Sequence, residues 1–204
     1  MSSIRKDRVY EKSKLSYSTL ISGLFIALET CPLAASDSSN SSHYTPACVA
    51  NDQYIVISQS ADAVGDRIVA RRKPTHEAKA SCKINNDPGD YIVARAGEAK
   101  YIIGLIQNFL VLDQGTGPSG RRLSIVNLST QRQIWSSIYA EEPKIVDRNI
   151  KFIKYLREGN KKICSNFSEI VSQNWTPLYV VPAEISLPDL TFRTLAKPSC
   201  IGGQ

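Results

Sequence analysis

The sequence predicts a mainly β fold, a single sandwich or partly open barrel built from antiparallel hairpins. Three observations carry that prediction: short β-branched and aromatic runs separated by turn residues, a hairpin-length motif that occurs twice, and four cysteines placed to staple one small domain. With 204 residues, 42% of them hydrophobic and 22% charged, the chain has the composition of one globular domain.

Residues 54–58 (YIVIS), 67–71 (RIVAR), 91–94 (YIVA), 101–103 (YII), 109–112 (FLVL) and 123–126 (LSIV) each read as a strand. Their residue types suit a pleated, half-buried surface, and Gly, Pro, Asn, Asp or Ser bounds them. Residues 131–139 and 178–181 fit the same description. Residues 149–157 fit either period; they are read as a strand because Glu158, Gly159 and Asn160 supply a turn towards Ile163.

The repeat emerges when residues 54–59 are laid over residues 109–114 without gaps. Gly65 then falls on Gly120, Arg67 on Arg122 and Ile68 on Leu123, so each copy is a strand, a polar loop and a second strand. The second copy, from Phe109 to Trp135, resembles a hairpin from the blade of a secreted β-propeller. The resemblance implies propeller-blade-like sheets as the alternative architecture. At ~40 residues per blade the mature chain holds about three or four, which favours a sandwich or open barrel over a closed ring.

The N-terminal segment reads as a cleavable signal. Arg5, Lys6, Arg8, Lys12 and Lys14 precede an uncharged apolar stretch at residues 20–28, which is shorter than the ~20 residues of a membrane-spanning helix. Small residues at Ala34 and Ala35 place the cut before Ser36. The expected organisation is therefore a signal peptide over 1–35, a polar leader over 36–43 and one domain over 44–204. No transmembrane span is expected in the mature form.

Removing the signal removes Cys31 and leaves Cys48, Cys82, Cys164 and Cys200. An even number of cysteines in an exported chain favours disulfides. The pairing Cys48 with Cys82 and Cys164 with Cys200 closes two loops of similar length, each worth roughly 3 kcal/mol in the chain-entropy model. The scattered spacing, and histidines only at His43 and His76, predict no metal site.

No cofactor motif and no catalytic constellation is expected. The glycine-rich connection at residues 115–120 lacks the Gly-Lys-Ser/Thr ending of a phosphate loop and precedes a strand instead of a helix. A G-x-S-x-G elbow is absent. Glu141 with Glu142, or Asp113 with Asp189, could form a carboxylate pair only if the fold assembled it. The signal carries five Lys or Arg against three Asp or Glu, which is +2 of the +6 total. The remaining +4 is too diffuse to predict nucleic-acid binding.

Ligand chemistry is expected on the 113–122 connection, where Asp113, Arg121 and Arg122 accompany glycines that let a partner approach the backbone. Arg122, as the counterpart of Arg67, reads as the arginine that serves the fold, and Arg121 as the freer one. These features predict an exported, non-enzymatic binding or inhibitor-like protein, periplasmic or secreted, whose partner is a protein or an anionic envelope component. The alternative is a small exported hydrolase whose site forms only in the fold.

Overall fold

The computed structural model describes residues 47–74, 81–85, 87–117 and 120–203, all within one compact unit, Ser42–Gln204. The expected signal, the polar leader, Cys31, His43 and His76 lie outside the described residues. Among the described residues the fold is mainly β, with twelve strands and one short helix. No described helix is long and apolar enough to cross a membrane.

Strands β1 (Ala47–Ala50), β2 (Tyr54–Ser60), β3 (Asp66–Arg72) and β4 (Tyr91–Ala94) form a four-stranded antiparallel meander. Strands β5 (Lys100–Ile106), β6 (Phe109–Gln114), β7 (Arg121–Asn127), β8 (Arg132–Val146), β9 (Asn149–Glu158), β10 (Thr176–Ser186) and β11 (Thr191–Thr194) follow one another in a larger antiparallel sheet. Helix α1 (Phe167–Ser172) lies between β9 and β10, and β12 (Ser199–Gly203) pairs with β10. Neither sheet closes into a barrel.

The repeat anticipated in the sequence is a repeat of register. Strands β2 and β3 pair Tyr54 with Arg72 and Gln59 with Arg67; at one constant offset, β6 and β7 pair Phe109 with Asn127 and Gln114 with Arg122. A third copy, unreadable in the sequence, runs through β9 and β10. One backbone hydrogen bond marks all three: Lys73 N donates to Gln53 O, Leu128 N to Asn108 O and Leu187 N to Arg148 O, at 2.8, 2.8 and 2.9 Å. The turn from β7 to β8 recurs from β10 to β11, with positive φ at Gln131 (55°) and Leu190 (53°) at matching places.

Three meanders therefore lie along the chain, and the second and third share β8. This strand carries register shifts on either side of Glu141, and Pro143, which has no N–H to donate, falls inside the second shift. Bulges bend a strand, so the large sheet folds back on itself here. Phe109, Val111, Leu123 and Ile125 of the second meander thereby pack against Ile150, Phe152, Ala183 and Ile185 of the third. On the opposite face of β6 and β7, Leu110, Leu112 and Val126 pack against Tyr54, Val56, Ile68 and Ala70 of the first. Alternating side chains point to opposite faces, so β6 and β7, buried on both, are the central layer of the stack.

Both disulfides pair as the sequence predicts, with Cα separations of 5.7 Å for Cys48–Cys82 and 5.5 Å for Cys164–Cys200. The first ties the long β3–β4 connection to β1. The second ties the residues before α1 to β12, where Asn166 Nδ2 also donates to Cys200 O at 3.3 Å.

Candidate functional site

Asp113 lies one residue before the end of β6 and Arg121 begins β7, with side chains on the face that looks towards the third meander. They are diagonal neighbours across the strand pair, since Asp113 is directly opposite Leu123. Arg121 Nε donates to Asp113 Oδ1 at 2.9 Å, and Arg121 Nη2 pairs with Asp113 Oδ2. Tyr139 of β8, opposite Arg121, donates its hydroxyl to Asp113 Oδ1 at 2.5 Å. The Asp113 side chain is 9% exposed and that of Arg121 34%, so the carboxylate is shut in and the guanidinium reaches outward.

Beneath the guanidinium lies the ring of Tyr101, 5.9 Å from Arg121 Cζ to the ring centroid. The Tyr101 hydroxyl accepts the backbone N–H of Gly65 at 3.2 Å, which fixes that ring. Gly65 has φ +79°, and a Cβ there would lie 2.5 Å from Ala99 N, so the approach of these two loops requires glycine.

These groups line a cleft of about 470 Å³ together with Glu142 and Pro143 of the bent part of β8. Burial pushes the Tyr139 phenol above its ordinary value; Arg121's charge opposes the rise and Glu142 adds to it. Tyr139 is thus a standing donor at neutral pH. Both oxygens of Asp113 are occupied, which suits the carboxylate to positioning Arg121 better than to accepting a proton from a substrate. The arrangement presents one oriented guanidinium edge beside a carboxylate and two tyrosines, a surface for recognition.

No known family, curated protein or solved structure matches this chain.

Of the residues expected on the 113–122 connection, Asp113 and Arg121 come together, and Arg122 does not join them. Arg122 falls on the opposite face of β7, exposed and with no hydrogen bond or ion pair among the described residues. The roles read from the repeat are thereby exchanged: Arg121 serves the fold and Arg122 is free. In the first meander, the position matching Arg121 is Asp66, which accepts the hydroxyl of Ser58, the match of Asp113. The same diagonal site is a polar pair in both copies, with different chemistry. Asp113 is committed to Arg121 and Tyr139 and Asp189 sits in the β10–β11 turn, while Glu141 and Glu142 are consecutive residues of β8. Among the described residues no cluster of His, Cys, Asp and Glu is arranged to hold a metal.

Tyr101, Tyr139 and Glu142 escape sequence reasoning because strand register and the bend of β8 bring them to Asp113 and Arg121. The available signal is Tyr139 itself, a polar aromatic at the end of the strand that the sequence predicts over 131–139.

Proposed function

We propose that this chain is an exported, non-enzymatic binding protein of the inhibitor type, which captures a protein or an anionic envelope component at the Arg121 cleft. The observation that carries the reading is the fixation of Arg121 by Asp113 at its side and Tyr101 beneath. A planar guanidinium already oriented loses little freedom when it grips a carboxylate or phosphate. Arg122, on the opposite face of β7, lies outside this cleft. Export is supported by the two disulfides, which persist in oxidising, non-cytoplasmic compartments, and by the basic lead and apolar stretch of residues 1–35.

The test is capture by immobilised mature protein from envelope extracts, comparing wild type with Arg121→Lys and Arg122→Ala. Arg121→Lys keeps a cation beside Asp113 and loses the planar fork; Arg122→Ala removes an exposed charge. Weaker capture of one identified partner by Arg121→Lys, with Arg122→Ala capturing it like wild type, both at unchanged circular dichroism, is expected. Unchanged capture by Arg121→Lys refutes the reading. N-terminal sequencing of the native product should begin near Ser36, and a product that retains Met1 would reject export by this signal.

A further inference from the structure

The first and second meanders also meet around a separate open cleft of about 490 Å³, lined by Gln53, Tyr54, Arg72, Tyr91, Ser129 and Gln131 among others. Its volume lies within the range of small-molecule sites, about 300–1,000 Å³. Its charge follows from strand alternation. Arg71 and Arg72 end β3 with side chains on opposite faces. Arg71 takes the carboxylates nearby, meeting Asp87 at 2.7 Å and Asp90 at 2.7 and 3.0 Å. Among the described residues Arg72, on the cleft side, forms no ion pair, and no carboxylate lines the cleft.

The other polar groups are only partly used. Tyr54 Oη and Ser129 Oγ share one hydrogen bond of 3.0 Å, which leaves one hydroxyl hydrogen to give. Tyr91 donates its hydroxyl to Gln131 O at 3.0 Å and keeps lone pairs to accept. The side-chain amides of Gln53 and Gln131 have no partner among the described residues, and each can donate and accept at once.

The cleft also lies where the chain departs from its own repeat. The second and third meanders join their last two strands by the short turns at 128–131 and 187–190. In the first, β3 and β4 are joined by a longer connection, whose Cys82 is bonded to Cys48 of β1. Gly89, inside this connection, and Tyr91, immediately after it, line the cleft. Insertions in a single repeat map to loops on one face, which is often the binding face.

We infer that this cleft binds a carboxylated saccharide, a uronic acid or a short oligomer of it. The Arg72 guanidinium matches the carboxylate, and the paired donor and acceptor amides with the tyrosine and serine hydroxyls match ring hydroxyls. Tyr91, which also lines the cleft, adds aromatic carbon that can meet the sugar's C–H groups. A phosphate dianion would call for a denser cluster of donors than one arginine supplies. The inference is independent of the Arg121 cleft, because no residue is shared between the two linings.

Isothermal titration of the mature protein with digalacturonate, against maltose and acetate, tests it. Saturable binding of digalacturonate is expected, with maltose and acetate at least about tenfold weaker, the size of one charge-assisted contact. Arg72→Ala should lose about tenfold or more and Gln53→Ala severalfold, both at unchanged melting temperature because both side chains are exposed. Arg122→Ala, outside the cleft, should bind digalacturonate like wild type. No saturable digalacturonate binding, equal affinity for acetate, or full affinity in Arg72→Ala would overturn the inference.

Discussion

Arg121 holds Asp113 through two of its nitrogens at the place where, in the first meander, Asp66 accepts a hydrogen bond from Ser58. One diagonal position of the repeat thus carries a neutral donor on a carboxylate in one copy and an ion pair in the other. The ion pair is the costlier arrangement, because it shuts a carboxylate away from water. It also fixes a guanidinium at the edge of a cleft.

That cost predicts how the two arginines differ. Arg121→Ala strands Asp113 without its cation and should destabilise by about 2 kcal/mol, less than the ~3–5 kcal/mol of a fully buried pair, because the Arg121 side chain keeps 34% of its surface in solvent. Arg122→Ala should stay within about 0.5 kcal/mol of wild type. Urea unfolding of both variants measures the difference, and equal stabilities would show that Asp113 finds other partners.

Tyr139 gives the site a pH signature. Its phenol titrates above its ordinary value of about 10, mainly through burial. A raised folded-state value means that the proton's contribution to stability is complete below about pH 10 and is lost as pH rises through the folded value. Stability measured from pH 8 to pH 12 should therefore fall more steeply in wild type than in Tyr139→Phe. At neutral pH the variant should be weaker by about 1.5–3 kcal/mol, the worth of a hydrogen bond to a charged acceptor. Parallel alkaline profiles would exclude Tyr139 as the titrating group.

The contrast between these residues also shows what the sequence could reveal. Strands β2, β3, β6 and β7 were legible because Ile55, Val56, Leu110 and Leu123 stand in β-branched or aliphatic runs bounded by Gly, Asp or Asn. The continuation of β8 past Tyr139 was not, since Glu141, Glu142 and Pro143 resemble a loop until the bulges that accommodate them are seen. Strand β12, SCIGG, has no apolar pattern and exists through its pairing with β10. Helix α1 is too short to show a helical period. At the site, Asp113 and Arg121 were legible as a glycine-flanked polar pair. The partition of Arg121 inward and Arg122 outward depends on which face of β7 is packed, and both faces are.

The disulfides should be unequal in what they protect. Cys164–Cys200 anchors β12 beside β10, and Cys164 is itself buried at 3% exposure. Its double replacement by serine should cost about 2–5 kcal/mol and release residues 199–203 to fast amide exchange. Replacing Cys48 and Cys82 should chiefly release residues 81–85 from β1 while the protection of β6 and β7 persists. Peptide mapping without reductant checks the pairing, and hydrogen exchange separates the two effects. Protection in β12 that survives loss of Cys200 would show that strand pairing alone retains it.

The third meander ends the stack with charge where the second continues it with hydrocarbon. Val111 of β6 and Ile125 of β7 pair across the strands, both 0% exposed, and face the third meander. The matching pair in β9 and β10 is Lys151 and Glu184. Glu184 is 2% exposed; Arg193 covers it with bonds of 3.0 and 2.6 Å to one oxygen, and Lys151 lies 3.9 Å from the other. Terminal units of stacked repeats need a polar outer face to remain soluble, and this triad supplies one. Lys151→Val combined with Glu184→Ile restores the residue pair of the second meander. It should leave the strand content intact, because the same pair already sits in the same register at Val111 and Ile125. It should also uncover an apolar face able to receive another sheet. Sedimentation velocity across a concentration series should then show larger species that the wild type lacks. If the double variant keeps the wild-type size at every concentration, the charged triad is not what limits stacking at this face.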